Sequence, residues 1–181
     1  MLEKNLSQST RRGWRRIGIV AASVVAALGL GATAAIALTT SHSATRFTQI
    51  QVRTGDTAWT GATTAWTDVP GAATTFSVPT GQSRMFDATF SAESHCASSG
   101  WCSARVVIVT PSGSVVELRP TVGTDFAFDS PSDLWEGHSM NRTSYYWGAG
   151  TYTVKVQAAL VAGATSFRLD DWNFGVRAYA S

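Results

Sequence analysis

Residues 83–94 read SRMFDATFSAES, and their alternation decides the fold. Phe86, Ala88, Phe90 and Ala92 fall on one parity, with Met85, Asp87, Thr89 and Ser91 on the other. A period of two is that of a strand with one face against a core and one toward water. Working outward, the same texture continues in both directions. Residues 104–110, ARVVIVT, are apolar on both parities and predict a central strand. Residues 114–119 (SVVELR) return after the turn at Pro111-Ser112-Gly113. In 151–161, Tyr152, Val154, Val156, Ala158 and Leu160 share a face, and Ala162-Gly163-Ala164 reads as a hairpin loop into a last strand over 166–179.

Upstream, residues 47–54 (FTQIQVRT), 64–69 and 74–78 (TTFSV) read as further short strands, with Pro70-Gly71 closing the second of these. Residues 136–146 read as another strand. Residues 121–135 are polar and irregular, with one helical turn expected at Ser130-Pro131. In the last strand the parity breaks: Phe167 and Leu169 are on one, Trp172, Phe174 and Val176 on the other. A bulge at Asp170-Asp171 would restore the facing, with both acids turned outward. The fold class expected is therefore all-β, an antiparallel β-sandwich of jelly-roll type with eight or nine strands, preceded by an N-terminal hydrophobic segment. No internal repeat or second globular domain is evident.

Hydrophobic residues make up 44% of the 181 and charged residues 14%, against about 25% charged in ordinary soluble domains. The first 16 residues hold five basic residues and one acid, whereas the chain from Thr45 onward holds nine basic and eleven acidic. A surface of that sign repels phosphate and excludes a nucleic-acid partner. Residues 17–38, IGIVAASVVAALGLGATAAIAL, carry no charge, and small-residue pairs stand at Ala32-x-Ala34 and Ala35-x-Ala37. This order of basic, apolar and small residues is that of a secretory signal peptide. The alternative is an uncut membrane anchor, since 22 helical residues reach about 33 Å. The organisation read here is 1–37 leader or anchor, 38–46 tether and 47–181 sandwich. Either way the domain lies outside the cytoplasm, with the membrane touched only through the N-terminal segment. Arginine outnumbers lysine twelve to two, a bias of GC-rich bacterial coding.

Cys96 and Cys102, in HCASSGWCS, are close enough to close a small ring, and an exported compartment permits a disulfide. Such a ring contributes roughly 2 kcal/mol. A metal reading of the pair needs two more ligands, with only His95 adjacent. His138 reads as a half-buried side chain hydrogen-bonded on a strand. A nucleophilic site drawn from Ser139, His138 and an aspartate lacks the G-x-S-x-G elbow. Asp125, Asp129 and Asp133, spaced by four, are the candidate ligands for a structural Ca2+, although no D-x-D-x-D-G loop is present. No other cofactor is implied.

Six tryptophans follow the leader: Trp59, Trp66, Trp101, Trp135, Trp147 and Trp172. Trp172 reads as core. Trp101, Trp135 and Trp147 adjoin loops and are the candidate ligand-stacking rings, the competing reading being core packing with satisfied N–H groups.

At HCASSGWCSARVVIV (95–109), FAFDS (126–130), WEGHSMNR (135–142), GTYTVKVQA (150–158) and FRLDDWNFGVRAY (167–179), the chain resembles a group of secreted actinobacterial β-sandwich proteins. The resemblance implies the fold and supplies no catalytic residues. The architecture is also similar to the jelly rolls of collagen-associated and phage-tail trimers, an analogy of fold alone. The function expected is an exported, non-catalytic recognition module at the cell envelope or beyond, for a glycan or protein ligand. The alternatives are a self-associating structural jelly roll, with a homo-oligomer as its partner state, and a small secreted hydrolase.

Overall fold

The alternating stretch at 83–94 becomes the middle of β4 (Arg84–Ser98), a central strand on which the rest is layered. The computed structural model describes residues 43–181; the leader 1–37 and most of the 38–46 tether lie outside the described residues. The other strands are β1 (Arg46–Gly55), β2 (Trp59–Gly61), β3 (Thr67–Val78), β5 (Trp101–Val109), β6 (Val115–Glu117), β7 (Glu136–Trp147), β8 (Gly150–Val161) and β9 (Ala164–Ala180). No helix forms among the described residues.

Two antiparallel sheets form a sandwich. One is ordered β1-β9-β4-β7, with β2 also paired to β9; the other is ordered β3-β8-β5-β6. The pairs β1·β9, β3·β8, β4·β7 and β5·β6 nest in sequence, each enclosing the next, and alternate between the sheets. A long ribbon of paired strands folded over on itself in this way is the connectivity of a jelly roll.

The core sits between the sheets. Phe86, Phe90, Phe167 and Phe174 are fully buried, as are Val106, Ile108, Val154 and Val156 from the facing sheet. Phe90 packs on Phe128, Trp172 and Phe174, with ring centroids 5.6, 6.5 and 6.5 Å away. Each fully buried side chain of this size contributes about 1.5–3 kcal/mol. β5 is buried on both faces at Val106, Val107 and Ile108, as its sequence predicts.

The parity break in β9 is a bulge. Ser91 and Glu93 of β4 pair with Asn173 and Asp170, so β9 holds one extra residue there. Asp171 absorbs it at φ +42°, a left-handed conformation that aspartate tolerates better than most residues. Phe167 and Leu169 before the bulge, and Trp172, Phe174 and Val176 after it, all face the core.

Three local expectations are corrected. Pro70-Gly71 does not end a strand. β3 runs through it with a wide irregularity, Asp68 pairing with Gln157 and Ala73 with Lys155. β3 is an edge strand, where a missing N–H is tolerated. The Ser130-Pro131 helical turn does not form. Pro131 instead bridges to Cys96, and Ser132 caps itself locally through Leu134. Finally, Ala162-Gly163 is not a hairpin loop. It carries the chain from β8 in one sheet to β9 in the other, as Ser99-Gly100 does between β4 and β5. These two corners pack together: a side chain on Gly100 would collide with the backbone of Val161 and Ala162.

Candidate functional site

The disulfide forms at the corner between β4 and β5, Cys96 from one sheet bonding Cys102 from the other with Cα atoms 5.7 Å apart. Both residues are buried. Their backbones also anchor the irregular segment between β6 and β7. Cys102 N–H donates to Asp129 O (2.9 Å), while Phe128 and Asp129 N–H donate to Cys102 O (2.9 and 3.1 Å). Trp101 Nε1–H donates to Thr124 O at 2.9 Å. The segment is thus held across the open side of the sandwich at β7.

The face of β7 under that segment carries polar groups. Strand alternation puts Glu136, His138, Met140, Arg142 and Ser144 on one side, and Met140, Arg142 and Ser144 are buried. Arg142 has its guanidinium 4.4 Å from the Phe126 ring, and its Nε and one terminal nitrogen are buried without hydrogen-bond partners. Burial pushes the Arg142 pKa down, and the Glu117 charge opposes that shift. Glu117, at the end of β6, accepts N–H bonds from Val122 and Gly123 (2.9 and 3.3 Å) and pairs with Arg105 at 3.6 Å.

At the other end of this row, His138 Nδ1 lies 2.9 Å from Ser94 Oγ, and its Nε2 lies 3.7 Å from Glu136 Oε2. His138 is half-buried and hydrogen-bonded on a strand, as its sequence context predicts. Asp129 joins them: a carboxylate oxygen of Asp129, one of Glu136 and a ring nitrogen of His138 all lie within 4.8 Å of one another. Asp129 is 3% exposed, and its Oδ2 is buried with no hydrogen-bond partner. Ser94, His138 and Glu136 have the membership of a Ser-His-Glu relay, but Ser94 is 0% exposed and cannot meet a substrate. Ser139, the nucleophile considered from sequence, is exposed on the opposite face of β7 from His138, so that pair does not converge.

The proposed Ca2+ ligands are therefore not brought together as a trio. Asp129 is buried beside Glu136 and His138, whereas Asp125 and Asp133 are exposed and outside that group. Glu136-x-His138 was findable, since a spacing of two on a strand puts both side chains on one face. The approach of Asp129 was not, because hydrogen bonds to Cys102 set it.

The three candidate tryptophans also separate. Trp135 is 40% exposed, with the Arg168 guanidinium 4.8 Å from its ring centroid and the His95 ring 6.0 Å away. Trp101 is half-buried near the same end. Trp147 pairs with Arg84, ten residues along β4 from the Ser94–Glu136 pair, which places it about 30 Å away at the opposite end. It packs on Tyr152 at 5.7 Å with its Nε1 buried and unpartnered. Trp172 is core, at 6% exposed.

No family model and no curated protein matches the chain. Among solved structures it is similar to a chain described as the cyanophage Pam1 capsid asymmetric unit, at 18% identity and a TM-score of 0.36, over 84% of this chain and 99% of that one. None of these matches supports the resemblance to secreted actinobacterial sandwiches expected from the motifs.

Proposed function

We propose that the chain is an exported, non-catalytic recognition module whose glycan-binding face surrounds Trp135. The observation that carries this reading is the state of that ring: 40% exposed, yet held from one side by Arg168. A ring fixed in advance loses little side-chain freedom on binding and offers an apolar face to a pyranose. Beside it lies a shallow depression of about 320 Å³, where His95, Ser98, Ser132 and Asp133 supply donors and acceptors for sugar hydroxyls. Export rests on the charge and composition of residues 1–38.

A glycan array probed with the full chain and with W135A tests the reading. The wild type should bind a carbohydrate class, and W135A should bind it five- to tenfold more weakly. Its thermal midpoint should stay within about 2 °C, because an exposed ring contributes little to folding. Absence of any glycan signal, or equal binding by W135A, refutes it.

A second reading, self-association, is favoured by β1. This edge strand carries Phe47, Ile50 and Val52 at 52%, 47% and 48% exposed. Exposed apolar side chains on an edge strand are a common route to pairing with a second copy. Light scattering that finds only monomer across a wide concentration range removes this reading.

A further inference from the structure

We propose that Asp129, Glu136 and His138 form a binding site for one divalent first-row transition-metal ion. The donors converge within 4.8 Å of one another from two separate parts of the chain, β7 and the segment tied to Cys102. A tetrahedral ion with bonds of 2.0–2.2 Å spaces its donors at about 3.4 Å. The Glu136–His138 separation of 3.7 Å is already close to that, and an ion need draw Asp129 in by little more than about 1 Å.

A second observation points to the same ligand. The Oδ2 atom of Asp129 is buried and unpartnered in a residue 3% exposed. A carboxylate oxygen removed from water with nothing to accept from is strongly unfavourable. A cation supplies the missing partner. His138 is also oriented as a ligand would be: Ser94 Oγ takes up the Nδ1 side of the ring, leaving Nε2 toward Glu136. Metal-bound histidines commonly have their second nitrogen held in this way.

The donor set selects the ion. One imidazole nitrogen and two carboxylates suit Zn2+ and its first-row neighbours, whereas Ca2+ takes six to eight oxygens and no nitrogen. Three protein donors leave at least one coordination position for water. Glu136 is the exposed member, with 46% of its side chain open, so the ion enters from that side.

The test uses the full chain, stripped with chelator and titrated with Zn2+ by calorimetry and by competition with a chromophoric chelator. The expected result is one equivalent bound with a dissociation constant at or below about 1 μM and a thermal midpoint raised by several degrees. Millimolar Ca2+ should not displace it. E136Q, at an exposed position, should weaken binding at least tenfold with an unchanged midpoint in chelator, and H138A by 100-fold or more. H95A should leave binding unchanged. No saturable Zn2+ binding overturns the proposal. So does E136Q with wild-type affinity, or H95A with a large loss, either of which would place the ion elsewhere.

Discussion

Replacing both cysteines, as C96A/C102A, removes a covalent link between the two sheets at the corner where β4 passes into β5. The sequence separation of the pair is 6, a ring of about seven residues, for which loop-closure entropy gives about 2.4 kcal/mol at 25 °C. The unfolding entropy of a domain is about 2.1 cal/mol/K per residue near its midpoint. For the 139 residues from 43 to 181 that amounts to about 0.29 kcal/mol/K, so the midpoint should fall by about 8 °C. The loss should not be spread evenly. Cys102 also carries the backbone bonds to Phe128 and Asp129, so amides of the segment between β6 and β7 should lose exchange protection before those of β4 and β8. Circular dichroism melts of the wild type, the reduced wild type and the double variant measure the first effect, and hydrogen exchange the second. A midpoint shift below about 2 °C would refute the reasoning, since it would mean that the corner stays closed without the bond.

Two further perturbations test charges that the fold has partly buried. Glu117 serves two backbone N–H groups and Arg105, and its charge opposes the desolvation of Arg142. E117A should therefore cost about 2–4 kcal/mol in urea unfolding, with E117Q losing less because it keeps an acceptor; a change under about 0.5 kcal/mol in E117A contradicts that role. Asp68 faces Lys155 at 2.7 Å and Gln157 at 2.8 Å. Burial raises its carboxyl pKa, but the bonds from Lys155 and Gln157 and the Lys155 charge together outweigh burial and hold it below the usual value. A depressed folded pKa means that the contribution is full at neutral pH and is lost as pH falls below about 4 through the folded value. With the Asp68 side chain 52% exposed, D68N should lower stability at pH 7 by about 0.5 kcal/mol. The gap to wild type should narrow as pH falls below about 4, and a gap that does not narrow with acidification excludes the pair as its source.

What was legible in the sequence is what strand period alone dictates. Phe86, Ala88, Phe90 and Ala92 announce a core face because nothing but a buried sheet needs that alternation. The parity switch around Asp170-Asp171 announces a bulge because no regular strand can bury both Leu169 and Trp172. What was not legible depends on non-local pairing. Pro70-Gly71 ends most strands, and survives within β3 because only β8 flanks it. Ala162-Gly163 has hairpin chemistry, but whether a tight loop closes a hairpin or turns a corner depends on which ladders its two strands join. The candidate site divides in the same way. Glu136 and His138 share a face by spacing, loop position alone does not separate the exposed Trp135 from the packed Trp147, and Asp129 reaches Glu136 and His138 only because Cys102 holds its backbone.

The polar row on β7 follows from the topology. β7 and β6 are edge strands of their sheets, and β6 holds only three residues. The inner face of β7 beyond it has no facing strand to bury apolar side chains against, so an apolar row there would gain little. The chain instead covers that opening with residues 118–135, pinned at Phe128, Asp129 and Pro131 to the two cysteines. A loop brings backbone carbonyls and short polar side chains where a strand would bring aliphatic ones. Arg142 meets Phe126 there, His138 meets Phe128, and Glu136 lies beside Asp129. The disulfide at this corner therefore both staples the sheets and fixes a place where buried polar groups converge. Trp135, with its exposed ring, is the last residue of that pinned segment. The stability of the corner and the geometry of the site consequently depend on the same few residues.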